Sequence, residues 1–102
     1  MKPWQRDQLT RALAQRREVL RAELGDDEAR LRAGGSDMDQ ADLTRDLDEL
    51  REIEAARRRM TDGSYGLCVD CGAGIGFERL HAEPEAARCV ECQRRHEKTY
   101  RR

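Results

Sequence analysis

Apolar positions along this chain form two helical stripes and one short irregular cluster, with glycine marking the breaks between them. In the first stripe Leu9, Leu20 and Leu31 recur every eleven residues, and Leu13 and Leu24 repeat the same interval. Eleven residues in three turns stays close to the ~3.6 residues per turn of a straight helix. The five leucines therefore line one narrow face of a helix predicted over 4–33. Pro3 suits its first turn, where the missing N–H is no loss. Most other positions are Arg, Glu, Gln, Asp and Ala, which favour or tolerate helix. After the break at Gly34-Gly35-Ser36, a second stripe of Leu43, Leu47, Leu50, Ile53 and Met60 predicts a helix over 39–61. Ser36 or Asp37 can cap it, Ser36 with Asp39 approximates a capping box, and Gly63 after Thr61-Asp62 supplies the stop signal.

The two stripes register with each other. Antiparallel partners should have position numbers of constant sum: Leu31 with Leu43 and Leu24 with Leu50 give 74, while Leu20 with Ile53 and Leu13 with Met60 give 73. Half of that sum falls in the Gly-rich break. A helical hairpin with its tip at about 34–39 follows. At ~1.5 Å per residue its arms would be about 45 and 35 Å long. A single seam of leucines, each contributing ~1.5–3 kcal/mol at most, is thin support, so the far end should fray. A dimerising coiled coil would need the same seam. The paired sums assign it within the chain, so a monomer is expected.

Composition agrees with an extended shape. Hydrophobic residues make up 37% and charged residues 40% of 102 residues. That is little apolar surface to offset roughly 1–2 kcal/mol of backbone entropy per residue in a globule. The net charge of -1 hides an uneven distribution: residues 1–21 and 88–102 are mainly basic, and 26–49 mainly acidic. The start, Met1 to Glu18, lacks the apolar run of a signal peptide, and no stretch reaches the ~20 apolar residues of a membrane span. No membrane role, a cytoplasmic location and reduced cysteines are expected.

Those cysteines carry the chemistry. Cys68-Val69-Asp70-Cys71 and Cys89-Val90-Glu91-Cys92 form a C-x2-C-x17-C-x2-C pattern, within the spacing of a four-thiolate zinc site. Gly72 follows the first pair, where the knuckle needs positive φ. Four thiolates fill a tetrahedron and leave no open position for water, so one structural Zn2+ is expected and hydrolysis is not. No cluster pairs a nucleophile with a base, and the chain is read as a non-enzyme. Tyr65, Leu67, Ile75, Phe77, Leu80, Pro84 and Ala87 offer a core too small to fold without metal. His81 and His96 are expected at the surface. Gln93 to Arg102 reads as a short basic helix. The fold class is thus mainly α: a long antiparallel helical hairpin (a coiled coil) over 1–61, then a C4 zinc-finger module with a basic C-terminal helix over 62–102.

The stretch Asp62-Gly-Ser-Tyr-Gly-Leu-Cys-Val-Asp-Cys-Gly, then Ile75, Arg79-Leu80, Ala82, Pro84 and Cys89-x-x-Cys92-Gln93, resembles the zinc segment of the DksA/TraR family of C4 zinc-finger regulators. The resemblance implies a bacterial transcription regulator that binds RNA polymerase directly, its hairpin entering the secondary channel to modulate initiation. It implies functional acids at the tip, in an Asp-x-x-Asp-x-Ala pattern. Here Asp39 and Ala41 match, Ser36 stands where the first Asp would be, and Asp37 lies one position later. Arg45 matches a basic position that contacts the alarmone ppGpp in responsive members, and Arg94 and Arg95 are further candidates for polymerase or alarmone contact. Glu52 and Gln93 stand where lysines would, so strong ppGpp dependence is not expected. The second arm is shorter than in the long members. Two other readings compete. A nucleic-acid-binding zinc ribbon is favoured by Arg94, Arg95, Lys98, Arg101 and Arg102, but opposed by the acidic tip and the few aromatics. A coiled-coil adaptor without polymerase activity would dimerise through the leucines.

Overall fold

In the computed structural model, residues 1–100 are described, Tyr100 by its backbone alone. Arg101 and Arg102 of the basic tail lie outside the described residues. The order is α1 (Pro3–Arg32), α2 (Asp37–Asp62), α3 (Phe77–Ala82) and α4 (Val90–Tyr100). The first two are the hairpin arms. Pro3 opens α1, and the Lys2 backbone N–H donates to Gln5 Oε1 at 3.0 Å. The chain reverses through Gly34 at φ 93°. Ser36 then caps α2 reciprocally: Asp39 N–H donates to Ser36 Oγ, and Ser36 N–H donates to Asp39 Oδ2 at 2.9 Å. Gly63 ends α2 in the left-handed region at φ 86°, and Asp62 Oδ1 accepts from the Ser64 N–H at 2.9 Å.

The seam between α1 and α2 is built on Leu13, Leu20, Ile53 and Ala56, with Leu50, Met60 and Tyr65 packed around them. Leu24 is buried as well, while Leu31 and Leu43 near the tip are half-buried. Leu47 departs from the expected stripe. It is 37% exposed, and Asp46 takes the inward position at 5%. Spacings of three and four residues both continue a helical face, and the rotation of α2 selects the former here. Asp46 meets Asp27, which is only 2% exposed, and their numbers also sum to 73. The leucine seam therefore contains one pair of carboxyl groups.

At the base, Leu9 of α1 leaves the hairpin seam and joins Cys68, Ile75, Leu80, Ala86 and Cys92 in a second cluster. Trp4 packs edge-to-face on Phe77 at 5.5 Å, and the Tyr65 hydroxyl donates to the Pro84 carbonyl at 2.8 Å. Met60 of α2 packs against the same cluster, so this cysteine-bearing segment is fastened onto both arms. Leu67, expected in this core, is 48% exposed, because it belongs to a short bridge with Gly74 at the rim. The radius of gyration is 15.5 Å, above the ~13 Å of a compact domain of this length. The molecule is a rod on a foot. Among the described residues no helix is long and apolar enough to cross a membrane.

Candidate metal centre and hairpin tip

Each cysteine pair sits in a turn that its own sequence dictates. Cys68 follows Gly66, held at φ 89°, and its N–H donates to the Ala73 carbonyl at 2.8 Å. Gly72 occupies φ 77° and donates to the Cys68 carbonyl at 2.9 Å, closing the first knuckle. A side chain at this φ would be strained, which is why glycine follows Cys71. The second pair straddles the start of α4, where the Gln93 N–H donates to the Cys89 carbonyl at 2.9 Å. Two bonds staple the pairs together: Val69 N–H to the Ala87 carbonyl, and Arg88 Nε to Asp70 Oδ2 at 2.7 Å.

All four sulfurs lie within 4.8 Å of one another. The Cys71 and Cys89 sulfurs are 3.9 Å apart, so they are not bonded. Zn–S bonds of about 2.3 Å in a tetrahedron imply sulfurs about 3.8 Å apart. The spacing fits. Cys68 and Cys92 are buried, Cys89 is half-buried and Cys71 is exposed. Burial opposes ionisation of Cys68, but backbone N–H groups of Cys71, Cys89 and Asp70 prevail and bring it down to about 6. Cys92 is pushed up to about 12, by the Cys89 sulfur first and then by burial and the sulfurs of Cys68 and Cys71. Four thiols at one point resist ionising together, and a divalent cation removes that conflict. The donor set fits zinc. Cys68, Cys71, Cys89 and Cys92 would hold it, and the closed set would supply folding energy rather than catalysis.

The acidic tip lies at the other end of the rod. Asp37 and Ala41 are exposed, and among the described residues Asp37 has no hydrogen bond or ion pair. Asp39 is engaged. Besides the cap it faces Arg30 Nε of α1 at 3.3 Å, and the Ser36 N–H holds its carboxyl below the ordinary range, with Arg30 helping. Arg30 also pairs with the buried Asp27. One guanidinium thus links the buried carboxyl pair to the cap.

The family model of the prokaryotic dksA/traR C4-type zinc finger matches residues 63–98. The solved structure of transcription factor DksA2 from Pseudomonas aeruginosa covers 100% of the chain, with a TM-score of 0.81 and 29% identity over 90% of its own length. Residues 63–98 thus match the dksA/traR-type zinc finger, and the chain as a whole is similar in fold to DksA2. The RNA polymerase-binding transcription factor DksA of Caulobacter vibrioides is 48% identical over 52 residues, and that of Escherichia coli 36% identical over 44. These stretches span 51% and 43% of this chain, but only 37% and 29% of the two relatives.

The chain brings together the four cysteines and, separately, the tip acids. It does not bring Arg45 to Arg94 and Arg95. Arg45 lies beside Asp42 and Asp46 on α2, whereas Arg94 and Arg95 lie on α4 beside the four cysteines. Arg94 is exposed, and Arg95 Nη2 donates to Cys92 Sγ at 3.5 Å. His81 is exposed and stacks on Phe77, while His96 is half-buried rather than at the surface. Sequence reading missed Asp27 with Asp46, the Arg30 link and the Arg95 contact. The first had a signal in the register, since 27 and 46 sum to 73 as the apolar pairs do.

Proposed function

We propose that this chain is a bacterial transcription regulator that binds RNA polymerase directly, inserts its hairpin into the secondary channel and modulates initiation there. The whole-chain likeness to DksA2 carries the reading, because it extends beyond the zinc segment to the hairpin. The names of the curated relatives support polymerase as the partner. One structural zinc ion fixes the base, the protein acts as a cytoplasmic monomer, and specific DNA binding plays no part. Physical chemistry supports the tip as the working end. An acidic apex is attracted to a metal-bearing, cation-lined site and repelled by bare DNA.

Asp37 and Asp39 act there, with Asp37 free to reach outward and Asp39 shaping the turn. The response to ppGpp is weak. Glu52 and Gln93, at the positions where responsive members carry lysines, line one groove with Glu83, Glu85 and Glu97 as well as Arg59, Arg79 and Arg88. Burial raises the Glu52 carboxyl above its ordinary range, and the neighbouring Glu85 and Glu49 add to the shift. The two lysine positions are thus filled by an acid and a neutral amide, which removes two cations that would hold a polyphosphate. The test is a pull-down with core RNA polymerase, competed by another secondary-channel factor, beside an in vitro initiation assay. The double variant Asp37→Asn, Asp39→Asn should keep binding and lose the effect on initiation. Loss of binding in that variant would refute the division between architectural seam and functional tip, and failure of the unmodified chain to bind would refute the polymerase reading.

A further inference from the structure

A zinc ion with four thiolates carries a net charge of about -2, and two of its four sulfurs here are buried. Something must answer that charge. Nearby backbone N–H groups favour the Cys68 thiolate. Cys92 is answered differently: Arg95 Nη2 donates to its Sγ at 3.5 Å, from three residues further along α4. Residues three apart share a helix face, so the guanidinium lies over the first turn, where the sulfur projects. A charged donor makes this stronger than a neutral N–H.

The position of α4 gives the contact a second consequence. Among the described residues the backbone of this helix approaches no other helix closely, and Cys89 and Cys92 at its start join it to the centre and to the base cluster. Arg94, one residue away and about 100° around the helix, is exposed and has no partner among the described residues. Equal charge with unequal geometry makes the two arginines a built-in comparison.

We propose that Arg95 is a positioning residue of the zinc centre, holding the Cys92 thiolate against release and fixing the direction in which α4 leaves it. The inference rests on the zinc reading of the four cysteines. Its test uses the full zinc-loaded chain and the variants Arg95→Gln, Arg95→Lys and Arg94→Gln. Zinc content is measured first, then the rate of zinc transfer to excess chelator, and then amide exchange along α4. Arg95→Gln should release zinc about 10-fold faster or more, the range in which outer partners of metal ligands act. Arg95→Lys should fall between it and the parent, and Arg94→Gln should match the parent. Amides of α4 should exchange faster in Arg95→Gln alone. Equal release from all four proteins, or equal acceleration by both glutamine variants, would overturn the role of Arg95 while leaving the zinc reading intact. Parent protein without zinc would overturn that reading, and the inference with it.

Discussion

At the scale of single residues, the two most instructive positions are glycines that look alike in sequence. Gly25 lies in the middle of α1 with ordinary helical φ, and a Cβ there would meet nothing within 4 Å. Gly25→Ala should therefore stabilise the chain by about 0.5–1 kcal/mol, since alanine loses less backbone freedom on folding. Gly35 is the opposite case. A Cβ there would stand 2.8 Å from Asp39 Oδ2 and 2.9 Å from the Arg30 carbonyl oxygen. Gly35→Ala should instead destabilise, because the turn must open and the cap with it. Urea denaturation of both variants reads the contrast, and equal shifts would contradict it. Both caps of α2 were legible beforehand, because Ser36, Asp39 and Gly63 act through their own neighbouring backbone. Arg95 was not. A donor three residues beyond a cysteine has a meaning only once the sulfur and the guanidinium are placed in space.

Among the elements, the hairpin seam holds the main departure from expectation. Burial raises Asp46 to about 6, and Asp27 and Glu23 of α1 add to the effect while Arg45 of α2 opposes it. Asp26, Arg30 and Asp42 line the same cleft, and one oxygen of Asp27 has no hydrogen-bond partner. The sign follows from linkage. Between pH 4 and 6 the folded hairpin keeps a proton on Asp46 that the unfolded chain releases. Its contribution is thus complete below about pH 4 and is lost as the pH rises through about 6. Thermal unfolding should give a higher Tm at pH 5 than at pH 7, and Asp46→Asn should raise the pH 7 value and flatten the difference. An unchanged slope in that variant would assign the effect elsewhere. Carboxyl groups held below their ordinary range, among them Asp39, Glu54 and Asp62, act at lower pH with the opposite sign. The seam weakens toward the tip for the same reason. Beyond Leu24 it relies on the carboxyl pair and on half-buried Leu31 and Leu43.

For the whole molecule, the sharing of Leu9 between α1 and the zinc segment decides how metal and fold are linked. Leu9 is fully buried against Ile75, Leu80 and Cys68, so loss of the ion should expose the base of the hairpin as well as the loops. Chelation under reducing conditions should speed amide exchange from Tyr65 to Leu80 and at the start of α1, while amides around Leu20 and Ile53 keep more protection. Uniform protection after metal loss would separate the foot from the rod. The sequence alone determined two helices, their antiparallel register, their caps and a four-sulfur metal set. Each is written in local periodicity, in backbone chemistry or in the spacing of one reactive residue type. Tertiary structure alone decided that Asp46 rather than Leu47 faces inward, that Leu9 belongs to the foot, and that Arg95 reaches a sulfur. Those outcomes depend on how each helix is rotated about its own axis, and a stripe allowing steps of three or four residues leaves that angle open until both partners are in place.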